Sequence, residues 1–229
     1  MPGWLSTAWY EVCRCHIMAG LTLGFSLRFE GGRNIPTEGP ALLIANHESF
    51  LDPIAVGLTT TRQLCYLARK TLFTPGFGWF LRSVGCVPVD QEGIAKEGLK
   101  TILGLLREGR AVLVFPEGER TGTGEMNPLK PGIQLLIKRT QAPIVPVGIA
   151  GAFDAFPRSR KLPRLSPLFM PAGKGAIAVS VGKPLDARHY LELPREQMLT
   201  ELQQAIQAMK DRAQHLRRKW SNGEVKHDR

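Results

Sequence analysis

The sequence predicts an α/β fold: a central mixed, largely parallel sheet flanked by helices, preceded by an N-terminal interfacial helical segment. Three observations carry this. Short apolar runs alternate with helix-like stretches along most of the chain. Several of those runs are apolar throughout, as strands buried on both faces are. With 43% hydrophobic residues, a chain of 229 can fill a sizeable core. Three regions result: 1–27, an N-terminal helical segment with membrane-interface character; 28–220, the α/β domain; and 221–229, a polar disordered tail.

At the N-terminus, thirteen uncharged residues, CHIMAGLTLGFSL, separate Arg14 from Arg28. A transmembrane helix needs about twenty, and no basic start and small-residue cleavage site frame a secretory signal. Leu5, Trp9, Val12 and His16 share one helical face, with Trp4 and Tyr10 nearby. Such a short aromatic-bearing helix suits the membrane interface. Packing on the protein's own core is the alternative.

The strand candidates are PALLIAN, LCYLA, CVPV, AVLVF, PIVPVGIA and AIAVSVG, rich in Val, Ile and Leu. Between them, IAKEGLKTILGLLREG sets Leu99, Ile102, Leu103 and Leu106 on one helical face, with Gly109 as its C-cap. A long amphipathic helix, PREQMLTELQQAIQAMKDRAQHLRRKW, follows the last strand. Met198, Leu202, Ala205, Met209, Ala213 and Leu216 recur on it at helical spacing, and Arg217, Arg218 and Lys219 are expected in its last turn. The stretch DAFPRSRKLPRLSPLFMPAGKG holds four prolines, which oppose regular structure. It places Arg158, Arg160, Lys161 and Arg164 beside Leu165, Leu168, Phe169 and Met170, a composition suited to a membrane-touching loop.

The charge balance is basic, 30 Lys and Arg against 20 Asp and Glu. A net charge of +10 attracts anionic lipid, phosphorylated substrates or nucleic acid. Nucleic acid has only this charge in its favour, because the aromatics are few and not interleaved with the basic residues. The four cysteines, Cys13, Cys15, Cys65 and Cys86, form no CxxC pair and fit a reduced chain. Cys13, Cys15 and His16 lack a second half-site, so no metal is expected.

Two polar blocks follow strand ends, where open α/β sheets gather ligands. The first is NHESFLDP, residues 46–53. Ser49 and Asp52 have capping-box spacing, and Pro53 suits an early helical position. His47 and Asp52 are five apart, which misses the helical i, i+4 relation. They can meet only across a turn, with the histidine outside the helix, where a carboxylate-oriented imidazole can act as a base. The second is FPEGERTGTG, residues 115–124: Pro116 and Gly118 bend the chain, Glu117 and Glu119 supply carboxylates, and Arg120 offers a bidentate fork.

These blocks, NHESFLDP followed by FPEGER, resemble the glycerolipid acyltransferase family, which includes the 1-acylglycerol-3-phosphate acyltransferases. Asn46, His47 and Asp52 match its NHxxxxD; Phe115, Pro116, Glu117, Gly118 and Arg120 match its FPEGTR, with Glu119 where threonine is usual. PIVPVGIAG, with Pro146 and Gly151, resembles its late Val-Pro-Val strand, and ARKTLFTPGFGW resembles its lysine segment, at Lys70. One departure stands out. A Gly-x-x-x-x-Asp run ends in the family in an arginine thought to hold acceptor phosphate, whereas GCVPVDQ ends here in Gln91.

The resemblance implies an O-acyltransferase of phospholipid biosynthesis. His47, oriented by Asp52, would take the proton of a lysophospholipid hydroxyl as it attacks an acyl thioester. Arg120, with Lys70 as a further candidate, would hold the acceptor, and Glu117 would orient Arg120 or nearby amides beside Gly118. The donor would be acyl-CoA or acyl-carrier protein, with no cofactor and no metal, at the cytoplasmic face of a membrane. The reading from another class is a non-catalytic lipid-binding or membrane-tethering protein on this fold. Intact His47 and Asp52 favour the enzyme.

Overall fold

The computed structural model describes residues 3–89 and 94–218. Helix α1, Gly3–Phe25, leads into the strand β1, Arg28–Glu30. There follow β2 (Ala41–Ala45), α2 (Asp52–Gly57), β3 (Leu64–Arg69), α3 (Phe77–Ser83), β4 (Cys86–Val89), α4 (Ile94–Arg107) and β5 (Ala111–Val114). The chain continues through α5 (Gly132–Thr140), β6 (Ile144–Ala150), α6 (Ala152–Ala155), β7 (Ala178–Val181), α7 (Ala187–Leu191) and α8 (Arg195–Leu216).

The seven strands form one sheet in the order β1-β7-β6-β2-β5-β3-β4. β6, β2, β5, β3 and β4 run parallel, β7 is antiparallel to β6, and β1 pairs parallel with β7. The sheet is therefore mixed and largely parallel. The all-apolar runs of β6, β2 and β5 occupy its centre because both faces are covered. On β2, Ala41, Leu43 and Ala45 pack with Leu21 and Phe25 of α1 and with Ala55 and Val56 of α2. Leu42 and Ile44 enter a second core with Ile102 and Leu106 of α4, Leu136 of α5, and Met198, Leu202 and Ile206 of α8. The two-residue alternation of a strand serves two cores at once.

All six anticipated strands are present. β1 was not anticipated: three residues, RFE, are too short for a periodic signal. The C-terminus of α4 closes as expected, with Gly109 N–H donating to Leu106 O and Arg110 N–H to Leu105 O, each at 3.0 Å.

Helix α1 docks by a different stripe from the Leu5, Trp9, Val12 and His16 face read as suited to the membrane interface. Cys13, Leu21 and Phe25 are buried, with Ile17 packed against the core and Trp9 half-buried, so the buried residues recur every four. Trp9 donates from Nε1 to Ser83 Oγ at 2.9 Å and lies 5.5 Å from the Trp79 ring, while Leu5, Val12 and His16 stay exposed. One expectation needs correction: Arg217 and Arg218 do not extend α8, which ends at Leu216. Arg217 turns back to Asp154 Oδ2 (2.9 Å) and Ala176 O (2.7 Å), and Arg218 donates to the carbonyls of Pro167, Leu168 and Met170. Orphan loop carbonyls win the guanidinium groups over the helix dipole, because directed charge-assisted hydrogen bonds outweigh a screened terminus. Lys219, the tail 221–229 and Gln91 lie outside the described residues.

The prolyl loop 157–175 has no regular structure, as its composition requires. It hangs on the end of α1, with Ser166 N–H donating to Gly24 O (2.9 Å) and Leu168 N–H to Leu23 O (3.0 Å).

Candidate active site

The carboxyl ends of β6, β2, β5 and β3 lie side by side, so the segments leaving them face one another. Asn46, directly after β2, fixes the first of these. Its Nδ2 donates to Ile149 O (2.9 Å) and its Oδ1 accepts from Ile149 N–H (2.8 Å), bonding the strand end to β6. His47 follows on this clamped backbone, and Asp52 opens α2.

His47 Nδ1 and Asp52 Oδ2 are 2.8 Å apart, with Asp52 fully buried and the imidazole 19% exposed. The same oxygen accepts from the backbone N–H groups of Glu48 (2.6 Å) and Ser49 (2.7 Å). Asp52 therefore ties the loop amides before α2 while orienting the histidine. The anticipated capping box does not form, since α2 begins at Asp52 with Leu51 as its N-cap and no side-chain cap. Ser49 Oγ donates to Phe156 O (2.7 Å) and accepts from Leu51 N–H (3.2 Å), which places it in a structural role. The imidazole lies against the Phe115 ring, with centroids 3.9 Å apart and planes at 15°, so its plane is fixed as well.

The second block closes from β5. Phe115 O accepts from Gly118 N–H (3.0 Å), and Gly118 has φ +79°, a left-handed conformation in which glycine is strongly preferred. A Cβ there would also press on the Lys130 side chain at 3.2 Å. Glu117 is buried, and both its oxygens are taken by main chain: His47 N–H to Oε1 and Asn127 N–H to Oε2, each at 2.7 Å. Thr121 N–H donates to His47 O at 2.8 Å. His47 is thus held at its amide, its carbonyl, its Nδ1 and its ring face. Glu117 is a scaffold of this loop and makes no ion pair with Arg120.

Arg120 lies with its guanidinium carbon 3.5 Å over the Phe50 ring. Its Nη1 is buried without a hydrogen-bond partner among the described residues. Loss of water and the nearby charges of Arg69 and Arg158 push Arg120 below its ordinary range, a field that favours an anion. Lys70 is exposed at the carboxyl end of β3, beginning the 3₁₀ turn Lys70–Leu72 at the same sheet edge.

Burial raises the carboxyls of Asp52 and Glu117, opposed at each by the hydrogen bonds just described. Glu48 is also buried and is pushed up to about 7 by the loss of water, against the pull of Lys210. Among the described residues, no group of three or more His, Cys, Asp and Glu forms a metal-ligand set.

The structure brings His47, Asp52, Glu117, Gly118 and Arg120, singled out from the motifs, to one end of the sheet. The sequence reading gave no role to Asn46 as a backbone clamp, Phe50 as a platform, Thr121 as a tether or Lys210 as a distant cation. The first three lie inside the two polar blocks. Lys210 comes from α8, outside both.

Comparisons with known proteins agree with this fold. Residues 26–150 match the family described as Acyltransferase. The chain is 30% identical over 199 residues to 1-acyl-sn-glycerol-3-phosphate acyltransferase of Bacillus subtilis, covering 86% of this chain and 92% of that one. It is also 30% identical over 209 residues to the yeast (Saccharomyces cerevisiae) protein of that name, covering 84% of this chain and 64% of the longer yeast one. The crystal structure of a 1-acyl-sn-glycerophosphate acyltransferase from Thermotoga maritima has the same fold, with a TM-score of 0.70 at 23% identity, over 94% of this chain and 81% of that one. The matched residues 26–150 include both polar blocks and the strands that carry them. The chain is a member of the acyltransferase family.

Proposed function

We propose that this enzyme transfers a fatty acyl group from a thioester donor, acyl-CoA or acyl-carrier protein, to the free hydroxyl of 1-acylglycerol-3-phosphate, in phospholipid biosynthesis. The observation that carries the reading is the His47–Asp52 contact at 2.8 Å, made by a fully buried carboxylate. Asp52 holds the Nδ1–H tautomer and leaves Nε2 as the acceptor of a proton. A lipid hydroxyl is a weak nucleophile at neutral pH. As its oxygen bonds to the thioester carbon, Nε2 takes its proton, a contribution of roughly 10²–10⁴ in rate. The tetrahedral adduct then expels the thiolate by breaking its carbon–sulfur bond, and the imidazolium protonates the sulfur. No acyl-enzyme is needed, and Ser49 is engaged elsewhere.

The Arg120 guanidinium, braced on Phe50 and among other cations, supplies a fork for the acceptor's phosphate. Relatives named for a 1-acylglycerol-3-phosphate acceptor over most of both chains support that choice of acceptor. The net charge of +10 suits either anionic donor.

The enzyme works in this reading at the cytoplasmic face of a membrane, held peripherally. No helix among the described residues is long and apolar enough to cross one. Leu162 and Phe169 are 76% and 78% exposed, and Leu165, Leu168 and Met170 are exposed with them. Lys161 and Arg164 stand exposed in the same loop. Apolar side chains beside cations match the interface of an anionic bilayer.

The test is release of free thiol from acyl-CoA, and separately from acyl-carrier protein, with 1-acylglycerol-3-phosphate and with uncharged or zwitterionic lysolipids. Thiol release that depends on the phosphate acceptor supports the reading. Thioester left intact with every acceptor and both donors defeats it, and vesicle binding without turnover would favour the tethering alternative.

A further inference from the structure

Lys210 lies on α8, far beyond the family-matched stretch 26–150, yet its ammonium reaches both loops of the site. Its Nζ is 2.9 Å from Glu48 Oε1 and donates to Gly124 O at 2.6 Å, on a side chain only 16% exposed. Glu48 carries that contact into the catalytic segment. Its Oε1 accepts from Asn46 Nδ2 (3.2 Å), its Oε2 from Phe153 N–H (3.1 Å), and its own N–H donates to Asp52 Oδ2 (2.6 Å). Gly124 lies four residues beyond Arg120 and abuts the same Phe153, whose ring a Cβ at Gly124 would meet at 3.1 Å.

The sheet makes this reach possible. A Cβ at Gly148 on β6 would fall 2.0 Å from the backbone nitrogen of Lys210, so only glycine lets α8 lie this close. The buried ion pair is a poor source of stability, since a well-packed apolar pair of similar volume does as well or better. What it provides is geometry.

We propose that Lys210 is a positioning residue: its ammonium, bonded to Glu48 and to Gly124 O, holds the His47 segment and the Arg120 loop in one register. The catalytic consequence rests on the acyl-transfer reading above; the structural consequence does not. A base and an anion-binding fork on separate loops must meet one substrate, and misplacement by about an ångström costs on the order of 10²-fold in rate.

The test compares the wild type with Lys210→Met and with the double variant Glu48→Gln/Lys210→Met. Melting temperature, kcat, KM for each substrate and the His47 Nδ1–H signal in NMR are the readouts. Lys210→Met should melt lower, because Glu48 loses its counter-ion. Its kcat should fall about 10- to 100-fold with both KM values within about twofold, the pattern of a lost transition-state alignment. The double variant carries no unpaired carboxylate, so its melting temperature should recover while kcat and the His47 signal stay altered. Wild-type turnover in the double variant, or an unchanged His47 signal in both variants, overturns the proposal. If the wild type releases no thiol with any substrate pair, the acyl-transfer reading fails and the His47 signal alone decides the role of Lys210.

Discussion

His47 Nδ1 and the two backbone amides of Glu48 and Ser49 all converge on Asp52 Oδ2, at 2.8, 2.6 and 2.7 Å. One carboxylate oxygen thereby ties the loop between β2 and α2 and orients the imidazole. The loop and the base cannot be perturbed independently, and this shapes what substitutions will do.

His47→Ala removes the base and its bond to Asp52 but leaves the main-chain hydrogen bonds, because its amide and carbonyl serve Glu117 and Thr121. Acyl transfer should fall by about 10²-fold or more, with circular dichroism unchanged. Near-normal turnover in the folded variant would sink the mechanism.

Asp52→Asn should cost both rate and stability. An amide oxygen can still accept one or two N–H groups, but without charge, and the tautomer of His47 is no longer enforced. A stability loss of about 1 kcal/mol from the weakened hydrogen bonds is expected in denaturant titration, beside a fall in kcat much larger than any change in KM.

Arg120→Lys should not rescue acceptor binding, since an ammonium lacks the planar fork and the flat face that lies on Phe50. KM for the phosphate acceptor should rise while KM for the donor holds. Unchanged acceptor saturation would move the phosphate site, with Lys70 the next residue to test.

Glu48 predicts a pH dependence of stability. Burial raises its carboxyl to about 7, above its ordinary 4.5, so the folded state holds a proton that the unfolded chain releases. That contribution is fully present below about pH 4.5 and is lost as pH rises through about 7. Relative to Glu48→Gln, the wild type should lose on the order of 2–3 kcal/mol across this window. Parallel stability curves for the two proteins from pH 5 to 8 would refute it.

Membrane binding should respond to the loop 157–175. Leu162→Glu/Phe169→Glu changes two side chains more than three-quarters exposed, so the fold should be kept while flotation with anionic vesicles drops. Wild-type binding should weaken with salt, because each basic residue contributes about 1 kcal/mol that ions screen. Removing residues 1–27 is the wrong test, since Leu21, Phe25 and Leu27 belong to the core. Wild-type protein that stays wholly soluble at low salt would rule out the peripheral reading.

Much of this protein was legible in the sequence, and the reason is local. Strands β2, β3, β5, β6 and β7 show as apolar runs because much of each is buried, and the edge strand β4 shows although it is only half-buried. His47, Asp52, Glu117 and Arg120 show because turn chemistry and motif spacing write them within a few residues of strand ends. The five-residue gap already required His47 to stand outside the helix that Asp52 begins. Other features depend on what packs against what. The docked face of α1 went to Cys13, Leu21 and Phe25, because α3 and the sheet lie on that side, and apolar spacing alone could not choose between two stripes. The antiparallel turn of β7 and the pairing of the three-residue β1 arise from the sheet as a whole. Glu117 was expected to orient Arg120 or nearby amides, and tertiary structure assigned it wholly to the amides of His47 and Asn127. Lys210 entered the site only because Gly148 lets a distant helix touch β6. Sequence carries what neighbours along the chain must satisfy, whereas contacts between residues over a hundred positions apart are settled by packing alone.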